Sequence, residues 1–181
     1  MVYIILGDGF EEIEAVVPGE ASRRAGAPVA YVGIRGLEIV GSHGITVRAD
    51  MTVEQMDLTN LDMIVLPGGL KGVASIRSCP AVLEAVRFAH ENGKFVAAIC
   101  AGPTVLAELR ITDGRNAVCY PAQNLEAQMH GAELQSQAVV RDGTLITGAS
   151  AGCAVSFALE LVAALKGRET AKMVADQIVI R

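Results

Sequence analysis

Short apolar runs alternate along the chain with segments whose apolar residues recur every three or four positions. Five runs rich in β-branched and aliphatic residues predict strands at residues 2–6, 29–33, 63–66, 94–99 and 145–147. Five segments with helical periodicity predict helices at residues 11–25, 80–91, 103–109, 151–165 and 169–174. This alternation predicts an α/β protein in which a mostly parallel sheet is covered by helices on both faces.

Two segments depart from the simple alternation. Pro18 and Gly19 lie inside the first helical segment, and a proline there removes a backbone hydrogen bond, so the helix is expected to kink or restart. Residues 36–50 place apolar residues between glycines, which predicts a small antiparallel excursion at an edge of the sheet. No repeat, low-complexity stretch or linker is present, so we expect one domain over residues 1–181.

Composition and charge narrow the classes of partner. Apolar residues make up 51% of the chain and charged residues 19%, a balance that favours a large core with strands buried on both faces. The net charge is −5, and no basic cluster is larger than Arg23 and Arg24. We therefore expect neither nucleic acid nor an anionic membrane as a partner, and small molecules or proteins remain.

Cysteine usage and the apolar segments indicate a reduced, cytoplasmic protein. The four cysteines have no Cys-x-x-Cys pair and no histidine at ligand spacing, so neither a metal site nor a disulfide scaffold is expected. The first six residues have no basic flank and are too short for a signal peptide. The most apolar helical stretch, residues 151–165, is shorter than the roughly 20 residues that a membrane span requires.

Cys100 lies at a junction between predicted elements. It directly follows the apolar run at 94–99 and precedes Ala101, Gly102 and Pro103. These three residues suit a tight turn and the first turn of a helix. The free amides and the positive end of the helix dipole are expected to lower the pKa of this thiol below its ordinary value of about 8.5. The junction thus predicts a nucleophile; the alternative is a small buried residue that fills space.

Parallel sheets bind ligands at the carboxyl ends of their strands, where three segments of this chain should meet. They are residues 7–14, residues 67–69 and Cys100. Glu14 is placed to reach the sulfur and, if protonated, to donate a hydrogen bond to it, although an acidic residue also simply suits a helix N-terminus. The amides of Gly69 and Ala101 could hold an oxyanion, although the glycines also suit a tight turn.

The turn after the first strand begins like a dinucleotide-binding loop. Gly7 and Gly9 match the first two glycines of that pattern, but Glu12 occupies the third glycine position. The acidic first turn would also repel a pyrophosphate. We therefore expect no nucleotide at this site and no cofactor.

Four strings in the chain carry a resemblance to a known family. They are Gly9-Phe-Glu-Glu-Ile-Glu14, Arg23-Arg-Ala-Gly26, Val65-Leu-Pro-Gly-Gly69 and Ala97-Ala-Ile-Cys-Ala-Gly-Pro103. Together they resemble the ThiJ/PfpI superfamily, specifically its parkinsonism-associated deglycase branch, over the whole chain. The resemblance implies a flavodoxin-like three-layer sandwich, a homodimer, and an oxidation-prone cysteine partnered by a protonated glutamate. Activities implied are glutathione-independent glyoxalase and deglycase, alongside oxidative-stress sensing and chaperone roles.

By position, the resemblance makes Cys100 the reactive cysteine and Glu14 its partner, with Gly69 and Ala101 supplying the oxyanion amides. The chain departs from the family pattern at Tyr120, which stands where the family often has a histidine before a proline. A phenol with a pKa near 10 can donate a hydrogen bond but is a poor base at neutral pH. His43 lies where relatives carry an arginine near the cysteine, or it is an ordinary turn residue.

Two other histidines and a second cysteine are the remaining groups that could assist Cys100. His90 is expected at the opposite end of the sheet from Cys100, and His130 at a solvated helix end. Cys153 follows the last predicted strand. It either fills space in the core, the interpretation we favour, or resolves an oxidised Cys100 as a disulfide.

Three functional classes follow from these residues. The first is an enzyme in which Cys100 attacks a 2-oxoaldehyde or one of its adducts while Glu14 moves protons between adjacent carbons. The second is an oxidative-stress sensor or redox-regulated chaperone that works through oxidation of Cys100 without turnover. The third, a cysteine peptidase or amidotransferase, is disfavoured because no histidine follows His130 to serve as the base.

Overall fold

The computed structural model describes residues 1–180, which form a central sheet, two small sheets and seven α-helices. The strands are β1 (Val2–Leu6), β2 (Val29–Gly33), β3 (Glu38–Val40), β4 (Thr46–Arg48), β5 (Met51–Thr52), β6 (Met63–Leu66), β7 (Phe95–Ile99), β8 (Asn116–Ala117), β9 (Glu133–Leu134), β10 (Val139–Asp142) and β11 (Leu145–Gly148). The helices are α1 (Glu12–Arg24), α2 (Leu70–Arg77), α3 (Pro80–Glu91), α4 (Pro103–Glu108), α5 (Gln123–Glu126), α6 (Ala154–Lys166) and α7 (Arg168–Gln177).

The central sheet has seven strands in the order β10-β11-β7-β6-β1-β2-β5. All of its pairs are parallel except β10 with β11, which form an antiparallel edge. In the centre, Val2 of β1 lies opposite Val29 of β2 on one side and Met63 of β6 on the other. The prediction of an α/β fold with a mostly parallel sheet is therefore confirmed.

Helices cover both faces of this sheet because side chains of the central strands point alternately to each side. Tyr3 and Ile5 of β1 contribute to the core beneath α2, α3 and α4. Ile4 and Leu6 contribute to the opposite core beneath α1 and α6, and α7 packs against α6. Strands buried on both faces explain the continuous apolar runs in the sequence.

The first helix corrects the prediction made from Pro18 and Gly19. α1 continues without a break through both residues, which are buried against the sheet. A Cβ on Gly19 would lie 2.0 Å from the hydroxyl of Tyr31, so the missing side chain lets the helix approach β2 closely. Packing against the sheet holds the helix together despite the hydrogen bond that Pro18 cannot make.

The segment at 36–50 forms the predicted antiparallel excursion. β3 and β4 pair with each other as a separate two-stranded sheet, with Ile39 opposite Val47. The turn between them is anchored to the start of α1, because Ser42 N donates to the carbonyl oxygen of Phe10 at 2.8 Å. The excursion thus extends over the end of the sheet where β1, β6 and β7 terminate.

Among the described residues 1–180, every helix falls short of the length and apolarity needed to cross a bilayer.

Candidate functional site

Cys100 forms a strained elbow between β7 and α4. Its φ is 63°, in the left-handed region that residues with a Cβ rarely adopt. Its N–H donates to the carbonyl oxygen of Gly148 at 2.9 Å, and its carbonyl oxygen accepts from Tyr120 N at 2.8 Å. Strain of this kind costs on the order of 1–3 kcal/mol and persists only where the surroundings hold it, a pattern typical of nucleophile elbows.

Glu14 lies in the first turns of α1 and is wholly buried. Its Oε2 accepts a hydrogen bond from Gly68 N at 2.8 Å. Its Oε1 is also buried and has no hydrogen-bonded partner among residues 1–180. A charged oxygen without a partner is costly to bury, so this environment favours the protonated form of the carboxyl.

Gly68 brings the carboxyl and the thiol together by having no side chain. A Cβ at this position would lie 2.6 Å from Oε2 of Glu14, 2.8 Å from the Cβ of Cys100 and 3.1 Å from the nitrogen of Ala101. All three contacts are shorter than ordinary van der Waals distances. Glu14, Cys100 and Ala101 therefore meet around a position that only glycine fits.

The environment of Glu14 raises the pKa of its carboxyl towards neutrality. Burial raises its pKa from 4.5 to about 7, against the opposing effects of the Gly68 N–H and the contact with Cys100. A carboxyl with a pKa near neutrality is populated in both protonation states at physiological pH. It can therefore both accept and return a proton.

The pKa of the Cys100 thiol corrects the expectation drawn from the helix amides, which was wrong in direction. Burial raises this pKa to about 12, and the charge of Glu14 and its contact with the thiol act in the same sense. The amides of Ala101 and Gly69 lower it by less. The thiol of the free protein thus holds its proton beside a charged Glu14 and needs an acceptor for it, which Glu14 is placed to be.

Gly69 and Ala101 present their amides to the sulfur. Both N–H groups donate hydrogen bonds to the sulfur of Cys100, which lowers the pKa of the thiol because it stabilises the thiolate. Gly69 is the N-cap residue of α2 and has a φ of 83°, and a Cβ there would lie 2.3 Å from the carbonyl oxygen of Gly9. The same two amides can stabilise negative charge on an oxygen bonded to a carbon that the sulfur has attacked.

His43 lies on the turn of the β3–β4 excursion and is paired with α1. Its Nδ1 is 2.9 Å from Oε2 of Glu12 and 3.5 Å from Oε1 of Glu11, and its side chain is mostly exposed. Hydrogen bonding to Glu12 and the charges of both glutamates raise the pKa of His43. Its imidazole is therefore held by Glu12 at the rim of the site.

Glu12 holds the turn that carries His43, a role that the sequence analysis did not predict. It accepts from His43 N at 2.7 Å and from Ser42 Oγ at 3.1 Å. Although burial acts to raise the pKa of Glu12, hydrogen bonds from His43 and Ser42 outweigh it and lower the pKa to about 2. Glu11, Glu12 and His43 have ligand atoms within 4.8 Å of one another, a spacing a divalent cation could use, but their contacts are explained by this ion pairing.

A cavity of about 770 Å³ opens in front of the sulfur. Its lining includes Cys100, His43 and Tyr120, with Leu70 and Leu125 as its apolar walls. Tyr120 is 44% exposed at this rim. A volume of this size accepts ligands considerably larger than a three-carbon aldehyde.

Cys153 lies outside the lining of this cavity. It is buried in the core beneath α1 and α6, and its Sγ donates to the carbonyl oxygen of Ser150 at 3.0 Å. All four cysteines are free thiols. The sulfur of Cys153 thus makes its hydrogen bond within its own turn of the chain.

Comparison with known proteins reveals close similarity over the whole chain. The family described as DJ-1/PfpI family matches residues 1–164. Protein dj-1beta of Drosophila melanogaster is 33% identical over 178 residues, covering 98% of this chain and 95% of that protein. A Parkinson disease protein 7 homolog of Danio rerio is 33% identical over 181 residues, covering 98% and 96%. The glutathione-independent glyoxalase DJR-1.2 of Caenorhabditis elegans is 31% identical over 159 residues, covering 88% and 84%.

Solved structures of related proteins have the same fold over nearly the whole chain. The structure of oxidized DJ-1 from Toxoplasma gondii matches with a TM-score of 0.93 at 30% identity, covering 98% of this chain and 97% of that one. The crystal structure of Drosophila melanogaster DJ-1beta matches with a TM-score of 0.93 at 32% identity, covering 99% and 97%. The flavodoxin-like three-layer arrangement is therefore shared with these relatives.

Proposed function

The chain belongs to the DJ-1/PfpI family, and from this membership and the site geometry we propose a cysteine-dependent enzyme that acts on 2-oxoaldehydes such as methylglyoxal, or on their adducts. The observation that carries the proposal is the wholly buried carboxyl of Glu14 in contact with the thiol of Cys100. A nucleophile next to a carboxyl with a pKa near 7 suits a reaction in which one proton is taken up and given back several times.

The first step joins the substrate to the sulfur. The thiol of Cys100 gives its proton to the carboxylate of Glu14 while the sulfur bonds to the aldehyde carbon. The electron pair of the carbonyl moves to the aldehyde oxygen, which the amides of Gly69 and Ala101 stabilise. Glu14 then returns the proton to this oxygen, and a hemithioacetal results.

The second stage moves hydrogen between adjacent carbons. The carboxylate of Glu14 removes the proton from the carbon bonded to sulfur, giving an enediolate, and returns it to the neighbouring carbon. The hydroxyl proton of the first carbon passes to the second oxygen, so that a thioester remains on Cys100. Water cleaves the thioester, which releases the 2-hydroxy acid and restores the thiol. One carbon is oxidised and its neighbour reduced, so no external oxidant is needed.

The expected test is formation of lactate from methylglyoxal or glycolate from glyoxal. Cys100→Ser and Glu14→Gln should each abolish it, because one removes the nucleophile and the other the proton carrier. Cys79→Ser is a matched control, since Cys79 is the N-cap residue of α3, outside the lining of the cavity, and serine is favoured at an N-cap. Absence of product from the unmodified protein, or retention of turnover in Glu14→Gln, would overturn the proposal.

A second candidate function, an oxidative-stress sensor or redox-regulated chaperone, is favoured by the same buried acid. When protonated, Glu14 can donate a hydrogen bond to a sulfinate on Cys100, and the two amides can bind its oxygens. In this case turnover is absent, and mild peroxide adds two oxygens to Cys100 selectively. Peptide mass spectrometry of the treated protein distinguishes the two functions.

We also propose a homodimer in the cytoplasm. Four large apolar residues on neighbouring elements are 41–58% exposed. They are Ile13 and Val16 of α1 and Val40 and Ile45 of the β3–β4 excursion. A second copy would cover them, and four free thiols suit a reducing compartment. Analytical ultracentrifugation should find a dimer that Val16→Asp converts to a monomer. A monomeric unmodified protein at micromolar concentration would contradict the dimer.

A further inference from the structure

Arg77, at the end of α2, makes a fork of hydrogen bonds to two other parts of the chain. Its Nη2 donates to Thr104 Oγ1 and to Gln128 Oε1, both at 2.9 Å. Its Nε donates to Oε2 of Glu108, also at 2.9 Å. Arg77 is only partly exposed, and Thr104 is buried. A planar guanidinium can satisfy this set of acceptors at once, which a flexible ammonium cannot do.

Through Thr104, the fork reaches the residue next to the nucleophile. Thr104 Oγ1 donates to the carbonyl oxygen of Ala101 at 2.7 Å, so Arg77, Thr104 and Ala101 form one chain of hydrogen bonds. Ala101 directly follows the strained Cys100, and its amide faces the sulfur. Holding Ala101 in place limits the ability of Cys100 to relax from its left-handed conformation.

Through Gln128, the same guanidinium reaches the far wall of the cavity. Gln128 follows α5, and Asn124 and Leu125 of that helix line the cavity in front of the sulfur. α2 itself is preceded by its N-cap residue Gly69, whose amide faces the sulfur. Arg77 thus connects the two elements that supply the oxyanion amides to the element that forms the substrate wall.

We propose that Arg77 is a positioning residue that holds the Cys100 elbow and the α5 wall in their reactive arrangement. For turnover this inference rests on the proposed function, whereas its effect on the reactivity of the thiol does not. Without the guanidinium, Ala101 is held less firmly, the elbow relaxes, and the sulfur moves away from Glu14 towards solvent. The thiol then ionises more readily, while the attack geometry and the proton transfer deteriorate.

The test measures two properties that should change in opposite directions in Arg77→Met. Alkylation of Cys100 by iodoacetamide at mildly alkaline pH, followed on its peptide by mass spectrometry, should become about ten-fold faster for each unit by which the pKa of the thiol falls. The kcat for methylglyoxal should fall by about ten-fold to a hundred-fold, with KM changing less. Arg77→Lys should give intermediate values, because one ammonium cannot reproduce the fork.

The control removes the third partner of the same guanidinium. Glu108→Gln loses the exposed ion pair but leaves the bonds to Thr104 and Gln128, so both rates should equal those of the unmodified protein. Unchanged alkylation in a folded Arg77→Met, or the same shift in Glu108→Gln, would overturn the inference. If the unmodified protein has no turnover, the proposed enzyme fails while the alkylation result still decides the role of Arg77.

Discussion

Gly68→Ala is the substitution that probes the geometry of the site most directly, because it leaves every reacting group in place. The added Cβ falls 2.6 Å from Oε2 of Glu14 and 2.8 Å from the Cβ of Cys100, whereas ordinary contacts begin at 3.4 Å. To reach an ordinary contact with the new methyl group, Oε2 of Glu14 must move by about 0.8 Å and the Cβ of Cys100 by about 0.6 Å. Gly68 does not have a positive φ, so the backbone itself accepts alanine without strain.

The expected result is a loss of activity that exceeds the loss of stability. A misplacement near 1 Å at a reacting centre costs up to about a hundred-fold, so kcat for methylglyoxal should fall by between ten-fold and a hundred-fold. Overpacking should lower the free energy of unfolding by about 1–3 kcal/mol, which leaves a folded protein at room temperature. Steady-state kinetics and urea denaturation of the same preparation measure the two effects.

Gly152→Ala is the matched control. Its Cβ would lie 3.6 Å from Ser150 Oγ, an ordinary contact, and Gly152 also lacks a positive φ. Kinetics and stability should both stay close to those of the unmodified protein. The reasoning would be refuted by a folded Gly68→Ala variant with unchanged kcat, or by an equal loss of kcat in Gly152→Ala.

Three further predictions concern neighbouring groups. The carboxyl of Glu14 binds its proton with a pKa of about 7 in the folded protein and 4.5 unfolded, so the free energy of unfolding should fall by about 3 kcal/mol as the pH rises through this window. Denaturation of Glu14→Gln at several pH values should lack this component. Glu12→Ala frees the turn that carries His43, and steady-state kinetics should show a larger rise in KM than fall in kcat. Tyr120→Phe should lower kcat by less than about ten-fold, since Glu14 carries the proton and only one hydrogen bond is at stake; a larger loss would make the phenol a proton carrier.

The sequence predicted the framework of the fold because the pattern of burial is local. Strands at 2–6, 29–33 and 63–66 have the predicted bounds, since each is a continuous apolar run buried on both faces. α2 was missed because glycine and serine interrupt the short apolar stripe formed by Leu70, Val73 and Ile76. β10 was missed because it is a short, partly exposed edge strand.

The sequence predicted which residues form the candidate site, but it did not predict their ionisation or their contacts. Cys100 and Glu14 stand at positions where the ends of three strands had to converge, so their meeting followed from topology. The pKa of the thiol could not be predicted from topology, because it depends on burial and on the charge of Glu14. The position of Cys100 before a helix N-terminus gives information about neither. The role of Gly68 and the pairing of Glu12 with His43 likewise arise between segments far apart in the chain.

The central claim is that burial keeps Glu14 protonated up to near neutral pH, so that it can exchange a proton with sulfur and substrate. Difference infrared spectroscopy across a pH titration, with Glu14→Gln to assign the signal, measures this protonation directly. The account predicts a buried carboxylic acid that ionises with a midpoint at about 7. A midpoint near the ordinary value of 4.5 would contradict it.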